Sequence, residues 1–185
     1  MTFKVEKIHH VGYRCRDAKT TVDFYRGLLN MDFIAAVSEP VVPTSKQPCP
    51  YFHLFFDAGM GNVLAFFDIA GIEMDPPKMD GPMWARHIAL QVRDVAALEE
   101  AKAKLVDAGV SVGGPTDHNM FTSIYFSDPD GNRVELTAPA VDEPEKMARL
   151  LAVADDMLEE WTRTNKVPPR HAAWIHEKEF EGLDL

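Results

Sequence analysis

The chain is short of cysteine, of positive charge and of long apolar runs, and each shortage excludes a class of protein. Its 185 residues include two cysteines, Cys15 and Cys49. Two are too few for a disulfide framework or a cysteine zinc site, so both are expected to be free thiols. Lys and Arg total 19 against 29 Asp and Glu, a net charge of −10. Because nucleic acids are bound largely through basic side chains, we expect no nucleic-acid partner.

Membrane and export segments are also missing from the sequence. No apolar run approaches the roughly 20 residues of a membrane-spanning helix, and the first residues lack the basic-then-apolar pattern of a signal peptide. The apolar share of 46% is sufficient for a soluble core. We therefore expect a cytoplasmic protein with no membrane partner.

The most informative feature that is present is an internal repeat. Residues 9–17 and 86–94 are variants of one nine-residue pattern, and each has a histidine in second place, His10 and His87. Such a repeat predicts two copies of one structural unit. If the copies pair about a pseudo-twofold axis, the two histidines face one another.

The repeat extends to a turn near the end of each copy. Gly61-Asn62 and Gly131-Asn132 each precede an apolar strand. Both copies are predicted to run as a strand, a helix and three further strands. Module one covers about residues 5–70 and module two about residues 84–139, with a Gly- and Pro-rich linker between them. The spacing leaves about seven extra residues in module one, which we place in residues 38–50.

Alternation of side chains along the strands places both histidines and one carboxylate on the same face of their sheets. The branched residues of the second histidine strand point toward a helix, and so do Val134 and Leu136. The opposite face holds His10, Gly12 and Arg14 in module one and His87, Ala89, Gln91, Arg133, Glu135 and Thr137 in module two. By the same alternation, His9 points toward the helix and is expected to be structural.

Three helices are predicted from their caps and apolar spacing. Asp17 and Asp94 are placed as N-caps of the first two, and Gly109 is placed to end the second. Residues 143–164 form a third, amphipathic helix ended by Pro168-Pro169. The apolar stretch after it either covers the main body or packs on a partner in a homodimer.

Two imidazoles and one carboxylate on one face are good ligands for a divalent first-row metal. His10, His87 and Glu135 therefore form a candidate metal site with open positions for a substrate or dioxygen. Each histidine alone has an ordinary alternative as a hydrogen-bonded core residue. The buried carboxylate has one too, since an ion pair with Arg14 or Arg133 would also compensate for burying its charge.

These segments resemble the vicinal oxygen chelate superfamily, which includes glyoxalase I, methylmalonyl-CoA epimerase, fosfomycin resistance proteins and extradiol ring-cleavage dioxygenases. The matching segments are Ile8–Val11, Phe24-Tyr25 with Leu28-Leu29, Arg86–Ala89, and Tyr125–Leu136. The resemblance implies an α+β fold in which two paired βαβββ modules form a half-open mixed β-barrel with flanking helices. It covers a domain of residues 1–140 and leaves residues 141–185 as a C-terminal helical extension.

In that family the metal is held by the first and last strand of each module, and the corresponding positions are His10, Ala65, His87 and Glu135. Alanine cannot be a ligand, which argues against a glyoxalase-like or epimerase-like lyase or isomerase using Mn, Ni, Co or Zn. The remaining His, His, Glu set is what extradiol dioxygenases use with Fe(II) to cleave a catechol-like ring with O2. A binding protein for an aromatic compound or antibiotic is the third possibility. Homodimers are common in the superfamily.

The resemblance also implies residues around the metal. Tyr125 has the spacing of the active-site tyrosine of extradiol enzymes, and His118 lies where a residue lines the mouth of the site. Each also has a plain alternative, as a packing aromatic and as an ordinary loop residue. Substrate contacts are expected from Arg14, Gln91, Val63 and Phe67.

One histidine of the family pattern is missing. Larger extradiol enzymes have an acid-base histidine where this chain has Asn62 and Val63. His53, on the preceding strand, is a possible substitute. Alignment on the Gly-Asn turns pairs it with Ser123 on the Tyr125 face, whereas alignment on Asp57 and Asp128 points it away.

Overall fold

The computed structural model describes residues 3–75 and 81–164. Their elements follow the predicted order. The strands are β1 (Val11–Cys15), β2 (Phe33–Val41), β3 (Pro48–Asp57), β4 (Val63–Ile69), β5 (Ile88–Gln91), β6 (Gly113–Asp117), β7 (Phe121–Ser127) and β8 (Arg133–Pro139). The helices are α1 (Ala18–Val22), which continues as a π-helix (Asp23–Leu28), α2 (Val95–Asp107) and α3 (Glu143–Arg163), with a 3-10 turn at Met83–Ala85.

The two sheets have the same strand order. The first is β1-β4-β3-β2 and the second β5-β8-β7-β6. In the first, β1 runs parallel to β4, and β3 is antiparallel to both β4 and β2. A strand, a helix and three strands arranged identically twice confirm the α+β fold with two βαβββ modules and a C-terminal helix. Each module is an open four-stranded sheet.

The extra residues of module one lengthen its hairpin. Strands β2 and β3 have 9 and 10 residues, against 5 and 7 for β6 and β7. The β2–β3 pairing also has two irregularities, between Phe33 and Ala35 and between Glu39 and Val41. The insertion predicted near residues 38–50 thus lies where this hairpin extends beyond its counterpart.

Both predicted N-caps are confirmed. The Asp17 carboxylate accepts a hydrogen bond from the Thr20 backbone N–H at 2.7 Å. The Asp94 carboxylate accepts one from Ala97 at 2.9 Å. Gly109, with φ +81°, lies just after the end of α2, as predicted for a left-handed C-terminal glycine.

The first helix differs from the regular one that its spacing predicts. From Asp23 it widens into a π-helix, in which the Leu29 N–H donates to the carbonyl of Phe24 at 3.2 Å. The wider turn buries two consecutive aromatic residues, Phe24 and Tyr25. Packing of both rings accounts for a helix form that local propensity does not favour.

The chain divides into two compact units. The first comprises Met1–Ile88, Ala103–Ser111 and Phe126–Val134, and the second comprises Ala89–Lys102, Val112–Tyr125 and Glu135–Leu185. The boundaries of these units do not coincide with those of the two modules. The proposed domain boundary at residue 140 stays a prediction. The core of the first unit is aromatic, with the Tyr25 ring 4.8 Å from Phe66 and 5.5 Å from Phe56 between centroids.

Tyr25 also makes a buried polar contact. Its hydroxyl donates to Asp128 at 2.9 Å, and burial followed by the charge of Asp128 raises the pKa of the phenol well above its usual value. The phenol therefore stays protonated and remains a donor. The thiol of Cys15 is buried as well, which raises its pKa to about 11. Both cysteines are free, as predicted.

We predict that Tyr25→Phe destabilises the fold by about 1.5–3 kcal/mol, because a buried hydrogen bond to a charged group is lost while the ring packing is kept. The free energy of unfolding in urea measures it. Tyr51→Phe is the matched control. A Tyr25→Phe loss no larger than that of the control would mean that the hydroxyl contributes nothing.

The C-terminal helix is confirmed, and most of its apolar stripe is exposed, with Leu150 and Met157 half-buried. Leu151 and Leu158 are 78% and 65% exposed, and Trp161 is 40% exposed. The predicted stop at Pro168-Pro169 and the apolar stretch after it lie outside the described residues, and the homodimer stays a prediction. No helix within residues 3–75 and 81–164 is long and apolar enough to cross a membrane.

Candidate metal and substrate site

His10 lies in the first unit, one residue before β1, and is exposed. Its Nδ1 lies 2.8 Å from Nδ1 of His9, so one of these nitrogens donates and the other accepts. His9 is likewise exposed, and the predicted direction of its side chain toward the helix stays a prediction. Strand alternation settles the direction of neither histidine, because β1 begins only at Val11.

His87 is held in one tautomer by the backbone. Its Nδ1 is 2.9 Å from the carbonyl oxygen of Trp84. Because a carbonyl can only accept, Nδ1 carries the proton and Nε2 carries the lone pair. A histidine that donates one ring N–H to a backbone carbonyl has the arrangement usual for metal ligands. Burial alternates within β5, where Ala89 and Gln91 are exposed while Ile88 and Leu90 are half-buried, and His87, which lies one residue before the strand, is exposed.

His53 lies in an aromatic setting on β3. Its ring stacks on Phe67 with centroids 3.6 Å apart, lies 4.1 Å from Phe55, and is 6.4 Å from the ring of His10. Among the described residues its buried Nε2 has no hydrogen-bond partner. Burial, and after it the charge of His10, lowers the pKa of His53.

The structure also resolves which way His53 faces. Its cross-strand partner is Phe67, and both belong to the face opposite Phe56 and Phe66, which pack against Tyr25 of the helix. The alignment on the Gly-Asn turns is therefore the right one. His53 and Phe67 form an aromatic wall on the face that was predicted to line the site.

Glu135 lies in the second unit at the centre of a hydrogen-bond network. Its side chain is buried, with 3% exposed, and Ser123, which is fully buried, donates to Oε1 at 2.5 Å. The Tyr125 hydroxyl donates to the same oxygen at 3.2 Å. Nε2 of His118 lies 2.7 Å from that hydroxyl. The structure thus joins Tyr125, His118 and Glu135, which were predicted separately.

Ser123 is the functional candidate that sequence reasoning did not select. Alternation placed it on the face of Tyr125, two residues away, but a serine in a strand is not by itself a functional signal. Its hydroxyl donates to Glu135 and so restrains one oxygen of that carboxylate. Supporting hydrogen bonds of this kind orient the ligands in metal sites.

We predict that Ser123→Ala weakens divalent-metal binding about 10- to 100-fold, because the carboxylate of Glu135 loses its fixed orientation. Competition with a metal-sensitive dye measures the affinity. Ser111→Ala, at an exposed serine outside this network, is the control and leaves the affinity unchanged. Equal affinities for Ser123→Ala and the wild type would separate Ser123 from any metal site.

The predicted substrate contacts lie on the expected strands. Val63 and Phe67 are half-buried on β4, and Gln91 is exposed at the end of β5. A Cβ built on Gly12 would lie 3.9 Å from the Phe67 ring, an ordinary van der Waals distance, so this ring lies beside β1. Arg14 donates through Nη2 to the carbonyl oxygen of Ile72 at 2.9 Å.

The donor chemistry fits a divalent metal in part. His87 has a suitable tautomer and Glu135 a fixed carboxylate, as shown above. Within residues 3–75 and 81–164, however, no group of three or more His, Cys, Asp or Glu side chains is placed to hold a metal ion. The ligand set His10, His87 and Glu135 therefore stays a prediction.

Sequence comparisons identify a family and a relative. Residues 7–136 match the family model described as Glyoxalase/Bleomycin resistance protein/Dioxygenase superfamily. A protein of Bacillus subtilis (strain 168) named "Putative ring-cleaving dioxygenase MhqA" is 30% identical over 138 residues, which are 73% of this chain and 41% of that protein. The chain thus spans less than half the length of this curated relative.

Solved structures share the fold. The antibiotic binding protein TnmS3 from Streptomyces sp. CB03234 is 24% identical, with a TM-score of 0.53 over 75% of this chain and 100% of that one. The fosfomycin resistance protein FosX from Listeria monocytogenes, solved with Mn(II) and a sulfate ion, is 19% identical, with a TM-score of 0.55 over 76% of this chain and 98% of that one. At these identities the likeness shows the fold alone.

Proposed function

Because the chain belongs to the glyoxalase/bleomycin resistance protein/dioxygenase superfamily, we propose that it is a metal-dependent dioxygenase that cleaves the ring of a catechol-like aromatic with O2. The observation that carries this proposal is the hydrogen-bonded series from His118 through Tyr125 to Glu135. It joins two groups that can hold a proton to a buried carboxylate. The 30% identity to a protein named as a ring-cleaving dioxygenase supports the same reaction.

We assign the metal to His10, His87 and Glu135, with Fe(II) as the metal. An Fe(II) ion held there would supply open coordination positions for a catechol and O2 and the redox chemistry that their reaction needs. The structure supports the assignment at two ligands. The Trp84 carbonyl leaves the lone pair of His87 on Nε2, and Ser123 and Tyr125 both bond Oε1 of Glu135.

The remaining residues bind the ring and hold protons. Phe67 and Val63 offer an apolar surface suited to an aromatic substrate, with Arg14 and Gln91 as polar contacts. Because the Tyr125 hydroxyl donates to Glu135, Nε2–H of His118 donates to the Tyr125 oxygen at 2.7 Å, and the imidazole can pass a proton through this oxygen toward a substrate beside it.

A lyase or isomerase of the four-ligand type is disfavoured by Ala65. This residue pairs with Gly12 across β1 and β4 and is fully buried, so this strand pair supplies no side-chain donor at the fourth position.

Oxygen uptake tests the proposed reaction. The full chain is purified without oxygen, loaded in parallel with Fe(II), Mn(II) or Zn(II), and mixed with catechol or with hydroquinone. We expect uptake with catechol and Fe(II) only, because hydroquinone cannot chelate a metal through neighbouring hydroxyls. Uptake that is equal for the two diols, or no uptake with Fe(II) bound, would sink the proposal.

A further inference from the structure

A cavity lies within the first unit. Its volume is about 230 Å³, and its lining includes Tyr13, Met83, Arg86, His87, Asn132 and Arg133. His87 is the only one of these already assigned as a metal ligand. The cavity thus shares one residue with the candidate ligand set and is lined mainly by residues that have no part in it.

The charge of this lining is opposite to that of the chain. The lining contains two arginines and no carboxylate, in a chain of net charge −10. The neighbouring carboxylate of Asp128 already accepts from Tyr25 and from the Asn132 side chain, both at 2.9 Å. Two backbone N–H groups, of Asp130 and Asn132, donate to its other oxygen. Both oxygens of Asp128 are therefore already hydrogen-bonded, by Tyr25 and by its own loop.

The cavity also has an apolar side. The Tyr13 ring packs 5.9 Å from Phe66 between centroids, and Met83 adds a thioether side chain. Burial raises the pKa of Tyr13, with Arg86 close enough to act in the opposite direction. The phenol therefore remains protonated at neutral pH and can donate a hydrogen bond.

We propose that this cavity binds the carboxylate of a small aromatic acid, with Arg86 and Arg133 contacting the carboxylate and Tyr13 and Met83 contacting the ring. A guanidinium has five N–H donors in a planar fork that matches a carboxylate, so an arginine can keep an existing partner and still bind an anion. A volume of about 230 Å³ suits a single ring rather than a larger ligand. Because the Tyr13 ring packs on Phe66, on the face of the sheet opposite Phe67, this acid is a second ligand and not the ring placed against Phe67.

Binding tests the cavity without any turnover. Calorimetry on the chelator-treated full chain compares benzoate, its neutral isostere benzamide, and inorganic phosphate. We expect benzoate to bind at least about tenfold more tightly than benzamide or phosphate. Arg86→Gln and Arg133→Gln should each weaken benzoate binding at least about tenfold, whereas Arg149→Gln, which removes the same charge from α3, should not. Arg86 is exposed, so its variant stays informative if Arg133→Gln unfolds.

Equal binding of benzoate and benzamide, preference for phosphate, or equal losses in Arg86→Gln and Arg149→Gln would overturn the proposal. A turnover comparison separates it from the proposed reaction. With Fe(II), saturating benzoate should change kcat/KM for catechol less than about twofold, because it binds away from the ring site, and Arg86→Gln should keep catechol turnover. Competitive inhibition by benzoate would place it at the ring site and overturn the proposal. Benzoate binding without catechol turnover leaves the cavity standing and refutes the reaction, and catechol turnover with no benzoate binding does the reverse.

Discussion

Glu135→Ala is expected to abolish stoichiometric metal binding and ring-cleaving activity together. Loss of a supporting hydrogen bond already costs a metal site about 10- to 100-fold in affinity, so loss of the carboxylate itself should cost more. The side chain is buried, and its Oε1 accepts hydrogen bonds from Ser123 and Tyr125, so the carboxylate is held in one orientation. Metal content after gel filtration, measured by mass spectrometry, checks the expectation.

Two further variants control for unfolding and for a general effect of removing a negative charge. Glu135→Gln keeps the shape and the acceptor for Ser123 but is a poor ligand, so it should retain the fold and lose the metal. Glu99→Ala removes an exposed carboxylate from α2 and should retain both. Unchanged metal content in Glu135→Gln would remove Glu135 from the ligand set.

Tyr125→Phe is expected to lower kcat about 100-fold at saturating Fe(II), and it should weaken metal binding less than Ser123→Ala does, because the shorter bond from Ser123 still orients the carboxylate of Glu135. A positioned acid or base contributes about 10²- to 10⁴-fold to a rate, and this change removes the hydroxyl between His118 and Glu135 without removing the ring. Single-turnover rates with catechol measure it, and Tyr51→Phe serves as control. A change under about threefold would assign Tyr125 to packing.

His118 should act as a unit with Tyr125. His118→Ala is expected to lower kcat by a similar factor, and the double variant His118→Ala with Tyr125→Phe should be scarcely slower than either single one, because residues in one proton path are not additive. Additive losses would mean that the 2.7 Å contact carries no proton.

The fold was predictable from the sequence because helix caps and turns, which depend on a few neighbouring residues, recur in both copies of the repeat. Asp17 and Asp94 cap helices through their own side chains, and the Gly-Asn turns mark corresponding strands in both copies. The order of elements along both modules followed from these signals, and the two sheets have the same strand order. The π-helix did not, because packing of Phe24 and Tyr25 against the sheet selects it.

The candidate site was predictable where strand alternation applies and not elsewhere. Glu135, Tyr125 and Ser123 share a face because they lie within β7 and β8. His9 lies before the first strand, so its contact with His10 could not be inferred from alternation. The facing of His53 depended on how the longer hairpin of module one aligns with module two, which only strand register decides.

The central claim is that this chain uses a metal to insert both atoms of dioxygen into a catechol. The most direct test is single turnover of catechol by the Fe(II)-loaded full chain under ¹⁸O₂, with products analysed by mass spectrometry. We expect a ring-opened product that carries both labelled atoms with the wild-type protein, and no such product with Glu135→Gln. Recovery of intact catechol, or of a quinone without label, from Fe(II)-loaded wild-type protein would contradict it.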